Sequence, residues 1–147
     1  MPKKPKELHP REQLSWLNWF LRDFLYGEPP KLVGKTAITG ILNVSTKRKV
    51  TTRINAIIEK SINIKIGVMG DTFVRMDDKK YRTNFEFVER VYKSTSKESI
   101  RKYEVELIKK FKKSHPDIVL NVSETLAQRL TTYNGFYYIY VVHNLQT

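Results

Sequence analysis

The chain has 147 residues and a formal net charge of +12, with a sequence pI near 9.9. It contains no cysteine, which excludes a disulfide scaffold, a thiolate zinc site, an iron–sulfur cluster and a cysteine nucleophile. At 40% hydrophobic and 12% aromatic residues it can fill one core, so a disordered polyelectrolyte is excluded for most of its length.

No apolar run approaches the roughly 18 residues needed to span a bilayer. The basic start, Met1 to Lys6, is not followed by an apolar signal region. A soluble intracellular protein is therefore expected, in the cytoplasm or, in a eukaryotic host, the nucleus. No membrane partner is expected. Strong positive charge favours acidic partners, above all nucleic acid.

In chain order, residues 1–10 read as a basic tail with three prolines and three lysines. Residues 11–26 follow with Leu14, Leu17, Leu21, Phe24 and Leu25 at helical spacing, and Trp16, Trp19 and Phe20 widen the stripe. Gly27 and Pro29-Pro30 end that helix. Its aromatic face is a candidate surface for a protein partner. Residues 37–42 suit a short strand. Gly34-Lys35-Thr36 resembles the end of a phosphate loop, but the required upstream glycine position holds Pro29, which has no N–H to offer.

Residues 46–60 predict a helix with Val50, Ile54, Ile57 and Ile58 inside. Its first turns carry Lys47, Arg48, Lys49 and Arg53, a charge placement that opposes the helix dipole. These four are the candidate nucleic-acid-binding residues. Alternation at 62, 64, 66 and 68 predicts a strand, 72–79 a short helix, and 85–93 a second strand. Residues 94–114 give the clearest helix, with Thr95-x-x-Glu98 as a capping box and His115-Pro116 as the stop. Residues 129–143 predict a hairpin about Asn134-Gly135. Its second arm is apolar on both faces, the mark of a central strand.

The whole predicts an α+β fold, a small mixed or antiparallel sheet flanked by helices and preceded by an aromatic helix. Residues 1–45 form the tail, helix and connection, and 46–147 the main domain. His9, His115 and His143 are scattered and give no zinc-site spacing.

One carboxylate breaks the pattern of the long helix. At about 100° per residue, Ile100, Tyr103, Leu107, Phe111 and Ile108 define a buried stripe, and Glu104 falls inside it. An unpaired carboxylate there costs several kcal/mol, about as much as a destabilising core mutation. Glu104 is thus an internal ion pair, a rim residue reaching water, or a cleft residue holding a metal or a proton.

Several segments together resemble a divergent GIY-YIG nuclease domain, closest to the branch found in phages and large DNA viruses. They are Asn63-Ile64-Lys65-Ile66-Gly67-Val68-Met69-Gly70-Asp71, the arginine at 75, the strand Phe85 to Tyr92, the helix Tyr103 to Phe111, and Asn121. The likeness spans roughly residues 50–143. It implies a metal-dependent DNA endonuclease, or a degenerate descendant of one, with a small sheet flanked by helices. It implies that Glu104 binds the divalent metal, Mg²⁺ or another, that Arg75 contacts the scissile phosphate, and that Asn121 matches the asparagine after the glutamate helix. The chain departs from the family where Lys65 replaces the tyrosine of YIG and where no GIY strand precedes it within hairpin distance. Tyr138 or Tyr140, on a strand expected beside residues 62–68, is the substitute for a lost tyrosine, and Tyr81 is a further proton-transfer candidate. Lys65 replaces the tyrosine electrostatically. The alternative is a non-catalytic nucleic-acid-binding module that uses its basic helix faces.

Overall fold

A computed structural model describes residues 25–122, 130, 132 and 134–147. The expected tail and the aromatic helix with Trp16, Trp19 and Phe20 lie outside these residues, apart from residues 25 and 26. The described elements are β1 (Lys31–Leu32), α1 (Val44–Lys60), β2 (Ser61–Met69), α2 (Thr72–Met76), α3 (Lys79–Asn84), β3 (Phe87–Ser94), α4 (Lys97–Ser114) and β4 (Tyr137–Leu145). They form an α+β fold with a four-stranded sheet in the order β1-β3-β4-β2. The sheet is mixed, because β1 runs parallel to β3 while β4 is antiparallel to both β2 and β3.

Strand β4 is central because it is apolar on both faces. Ile139 and Val141 enter one hydrophobic layer, and Tyr138, Tyr140 and Val142 enter the other. The first layer is aliphatic and lies under α1 and α4, which contribute Val50, Ile54, Ile57, Ile100, Leu107 and Phe111. The second is rich in aromatic and sulfur side chains, with Met69, Met76, Tyr81 and Phe85. Glu89 of β3, paired with Val141 and so on the side of the first layer, is fully buried and has no hydrogen-bond partner on either carboxylate oxygen among the described residues.

Helices α1 and α4 lie side by side and point the same way. Lys47 Nζ reaches Glu106 Oε1 at 3.0 Å, and one turn further along both helices Lys110 Nζ reaches Thr51 Oγ1 at 3.3 Å. Asn43 starts α1 by accepting from the Thr46 N–H at 2.9 Å.

The structure corrects several sequence expectations. The expected strand at 37–42 is a single bridge, Ile38 to Tyr92. The helix expected at 72–79 is two helices, because Asp78 leaves the helical conformation and caps α3, accepting from the Lys80 N–H at 3.0 Å. Helix α4 starts later than the predicted capping box. Ser96, not Thr95, is the N-cap, and its hydroxyl accepts from the Ser99 N–H at 3.2 Å. Strand β3 begins at Phe87 rather than Phe85, because Phe85 caps α3 and donates its N–H to Tyr81 O. The chain bends at Asn134-Gly135, with Gly135 at φ +85° and Asn134 Oδ1 accepting from the Phe136 N–H at 3.1 Å. The first arm of the expected hairpin has no strand among the described residues, and β4 instead takes β2 and β3 as partners.

Candidate active site

Strand β2 is the sheet edge that organises the site. Its outer side is closed by the segment after α4, where Ile64 N–H donates to Ile118 O at 2.9 Å and Leu120 N–H to Ile64 O at 2.8 Å. Asn121 completes this seam. Its Oδ1 accepts from Ile66 N–H at 3.0 Å, and its Nδ2 donates to Ile66 O at 2.9 Å. Both amide ends therefore satisfy backbone groups of the edge strand. Any role of Asn121 in a reaction would act through the position of β2.

The register of β2 against β4 sets Lys65 opposite Val142, Gly67 opposite Tyr140 and Met69 opposite Tyr138. Period-two alternation places Lys65, Gly67, Tyr138 and Tyr140 on one face. The absent side chain of Gly67 is what admits Tyr140. A Cβ built there would lie 2.3 Å from the Tyr140 hydroxyl and 2.4 Å from its Cζ. The Tyr140 hydroxyl in turn hydrogen-bonds the hydroxyl of Tyr81 from α3, and the two rings meet edge to face. Lys65 and Lys80 ammoniums lie 5.7 and 5.2 Å from the Tyr81 ring centroid.

Glu104 belongs to α4, on the aliphatic side of the sheet, and is 7% exposed. Its Oε1 is sealed from solvent without a hydrogen-bond partner among the described residues. Burial pushes its carboxyl up to about 7, against the pull of Arg101, Arg75 and Lys65. Around the edge strand these groups feel one another. Burial holds the Lys65 ammonium below its ordinary value, and Lys80 and Arg75 push the same way, while Asp78 and Glu104 oppose. Burial raises both phenols, Tyr81 and Tyr140, and each also feels Arg75 and Glu104. Lys65 thus feels two like charges, Lys80 and Arg75, and two opposing carboxylates, exposed Asp78 and buried Glu104.

Of the residues singled out from sequence, Lys65, Tyr81 and Tyr140 meet on one face of the sheet, while Glu104 lies on the other side and, like Arg75, is felt there only through its charge. Tyr138 does not share the Tyr81 contact. Its hydroxyl accepts from Asn134 Nδ2 at 3.0 Å, and its ring lies 4.8 Å from the Arg90 guanidinium carbon. Lys47, Arg48, Lys49 and Arg53 are not part of this neighbourhood. On α4 the side facing α1 carries Glu106, and Glu104 lies about 200° around the helix from it. Lys47 is paired with Glu106, and Arg53 donates to Thr36 O at 2.5 Å. Sequence reasoning passed over Lys80 and Arg101. Arg101 was visible as the residue one turn before Glu104, whereas Lys80 depends on the unforeseen break before α3.

Of the histidines, His143 is 1% exposed, stacked on Phe87 at 5.5 Å between ring centroids, and its ring nitrogens have no partner among the described residues. Burial, with Lys60 nearby, lowers it to about 4, so it is neutral at physiological pH. The described residues hold no group of three or more His, Cys, Asp or Glu side chains arranged for a metal. No helix among them is long and apolar enough to cross a membrane. Comparison with family models, curated proteins and solved structures yields no match.

Proposed function

We propose that the chain is a metal-dependent endonuclease of GIY-YIG type that hydrolyses DNA phosphodiesters, with Glu104 as its metal-binding carboxylate. The observation that carries this reading is a buried carboxyl with an orphaned oxygen that feels the positive charge of Arg101, Arg75 and Lys65. A carboxylate kept in such a place without a full partner set costs stability. A bound cation removes that cost. Magnesium suits a single protein carboxylate, because it keeps most of its waters and takes few protein ligands. The absence of a three-ligand cluster among the described residues is compatible with that mode of binding.

When bound, the metal would offset charge developing on the phosphoryl oxygens. Arg75 binds the phosphate through charge-assisted hydrogen bonds. Lys65, whose ammonium burial holds below its ordinary value, adds positive charge beside it. Both phenols are raised, so they stay protonated near neutrality and act as donors that position the water and phosphate. In this reading Tyr140, rather than Tyr138, replaces the tyrosine missing from the Lys65-Ile66-Gly67 segment. Intracellular location and a DNA partner belong to the same proposal.

The test is nicking of supercoiled plasmid with Mg²⁺. Wild type should nick, and Glu104→Gln and Arg75→Ala should each lose at least about a hundredfold. Equal nicking by wild type and Glu104→Gln would reject the assignment. One observation favours the non-catalytic nucleic-acid-binding alternative, namely that burial leaves Glu104 about half protonated near pH 7 without a metal. That alternative predicts salt-sensitive DNA binding and no nicking at any pH.

A further inference from the structure

We infer that α1 is a recognition helix that docks in the major groove of duplex nucleic acid, as a second contact surface remote from Glu104. The inference rests on the reading that the substrate is a nucleic acid. It adds which form of nucleic acid is bound and which helix reads it.

Two hollows flank α1 and share Arg48 and Thr52 as their common wall. The hollow of about 360 Å³ lies toward α4 and is lined by Lys47, Arg48 and Lys110 with Val44, Thr51 and Thr52. The hollow of about 440 Å³ lies on the other side and takes Lys35, Arg48, Lys49 and Arg53. Neither hollow is itself lined by a carboxylate, and of their cations Lys47 alone has an ion pair among the described residues, to Glu106 at 3.0 Å. Between them the helix presents a ridge of exposed Ser45, Arg48, Lys49, Thr52, Asn55 and Ala56, which ends in the last turn at one exposed acid on the same face, Glu59. A helix with side chains is about 10–12 Å across, and the major groove is about 12 Å wide, bounded by two phosphate ridges. A cationic valley on each side of one exposed helix suits two phosphate ridges at once. A single strand offers only one.

The ridge also has the chemistry to read bases. Arg48, Thr52 and Asn55 lie at i, i+4 and i+7, on one face. Arginine pairs with guanine and asparagine with adenine through two hydrogen bonds each, and threonine contacts either base edges or the thymine methyl. Two of the flanking cations are already oriented. Lys47 is held by Glu106, and Arg53 by Thr36 O. No acid occupies the first turn of α1, so its dipole is not offset from within. A phosphate ridge would supply the missing negative charge.

The experiment is fluorescence anisotropy of a labelled duplex of about 20 base pairs with the full chain in EDTA. No cleavage is needed, so a failed nuclease assay leaves this result standing and the reverse also holds. The Arg48→Ala/Lys49→Ala double variant should bind about tenfold more weakly near 0.1 M salt. Its slope of log affinity against log salt should shrink by about 2. The charge-matched control Lys97→Ala/Lys102→Ala should keep wild-type affinity. Duplex should bind at least about tenfold tighter than either separate strand. Asn55→Ala should keep the salt slope but lose preference at one base position in a selection from random duplexes. Equal weakening by both double variants would overturn the inference, because net charge alone would then explain binding. So would tighter binding of single strands, or capture by phosphatidylserine vesicles without binding to duplex.

Discussion

The two flanks of α4 are built on opposite principles. On the side of β2, Glu104 is buried with one carboxylate oxygen lacking a partner among the described residues, and burial raises its carboxyl. On the side of α1, the charges are exposed or paired at the surface, as in Lys47 with Glu106, whose side chains are 40% and 52% exposed. The contrast separates two kinds of chemistry. Buried, mutually perturbed groups are suited to acting on a bound molecule. Exposed cations are suited to attracting and orienting one. Substitutions on the first flank should therefore change stability and pH dependence strongly, and those on the second should change affinity while leaving stability nearly alone.

The largest effect is expected at the seam that holds β2. Asn121→Ala orphans the buried N–H and C=O of Ile66, each costing about 1–3 kcal/mol, so a loss of about 4 kcal/mol is expected in urea unfolding. A loss below about 1 kcal/mol would show that water replaces the amide and that β2 does not depend on it.

Glu104 gives the next effect, with the opposite sign. Its folded value of about 7 lies above the ordinary carboxyl value of 4.5. The unfolded chain therefore releases the proton first as pH rises. Stability contributed by the protonated form is fully present below about 4.5, falls between there and 7, and is gone above. The loss is up to about 3 kcal/mol. Glu104→Gln should be more stable than wild type at pH 8 and match it near pH 4.5, and the difference should follow this window in denaturant titrations. A variant less stable at pH 8 would mean that Glu104 is a satisfied structural ion pair.

Gly67→Ala places a methyl group against Tyr140, so the ring must move. A stability loss of about 2 kcal/mol is expected. A changed tyrosine fluorescence signal should accompany it, and plasmid nicking should fall with the displaced hydroxyl. Unchanged nicking would remove Tyr140 from the site. On the other flank, Glu106→Gln breaks only an exposed pair with Lys47 and should cost about 0.5 kcal/mol or less in thermal melting. A loss above about 1.5 kcal/mol would erase the contrast between the flanks.

Much of this was legible in the residues. Glu104 stood out because one acid among Ile100, Tyr103, Leu107, Ile108 and Phe111 violates a strong helical stripe, and the helix buries it with them. The central place of β4 was legible because a strand apolar on both faces must be covered on both. The break between α2 and α3 was not, since it depends on Asp77 holding buried Arg82 while Asp78 caps the next helix. The shift from Thr95 to Ser96 as the cap was missed because both positions offer a hydroxyl, and only the tertiary entry angle of α4 decides between them. The Asn121 clamp and the separation of the α1 cations from Glu104 could not be read, because they depend on how distant segments meet at an edge strand and on which helix lies beside which.

The measurement that goes straight to the centre is Mg²⁺ titration of the melting temperature at pH 8, for wild type and Glu104→Gln. A cation at Glu104 should raise the wild-type melting temperature as Mg²⁺ increases, closing most of the gap to the variant, and leave Glu104→Gln unmoved. Parallel curves for the two proteins would contradict a metal site at Glu104.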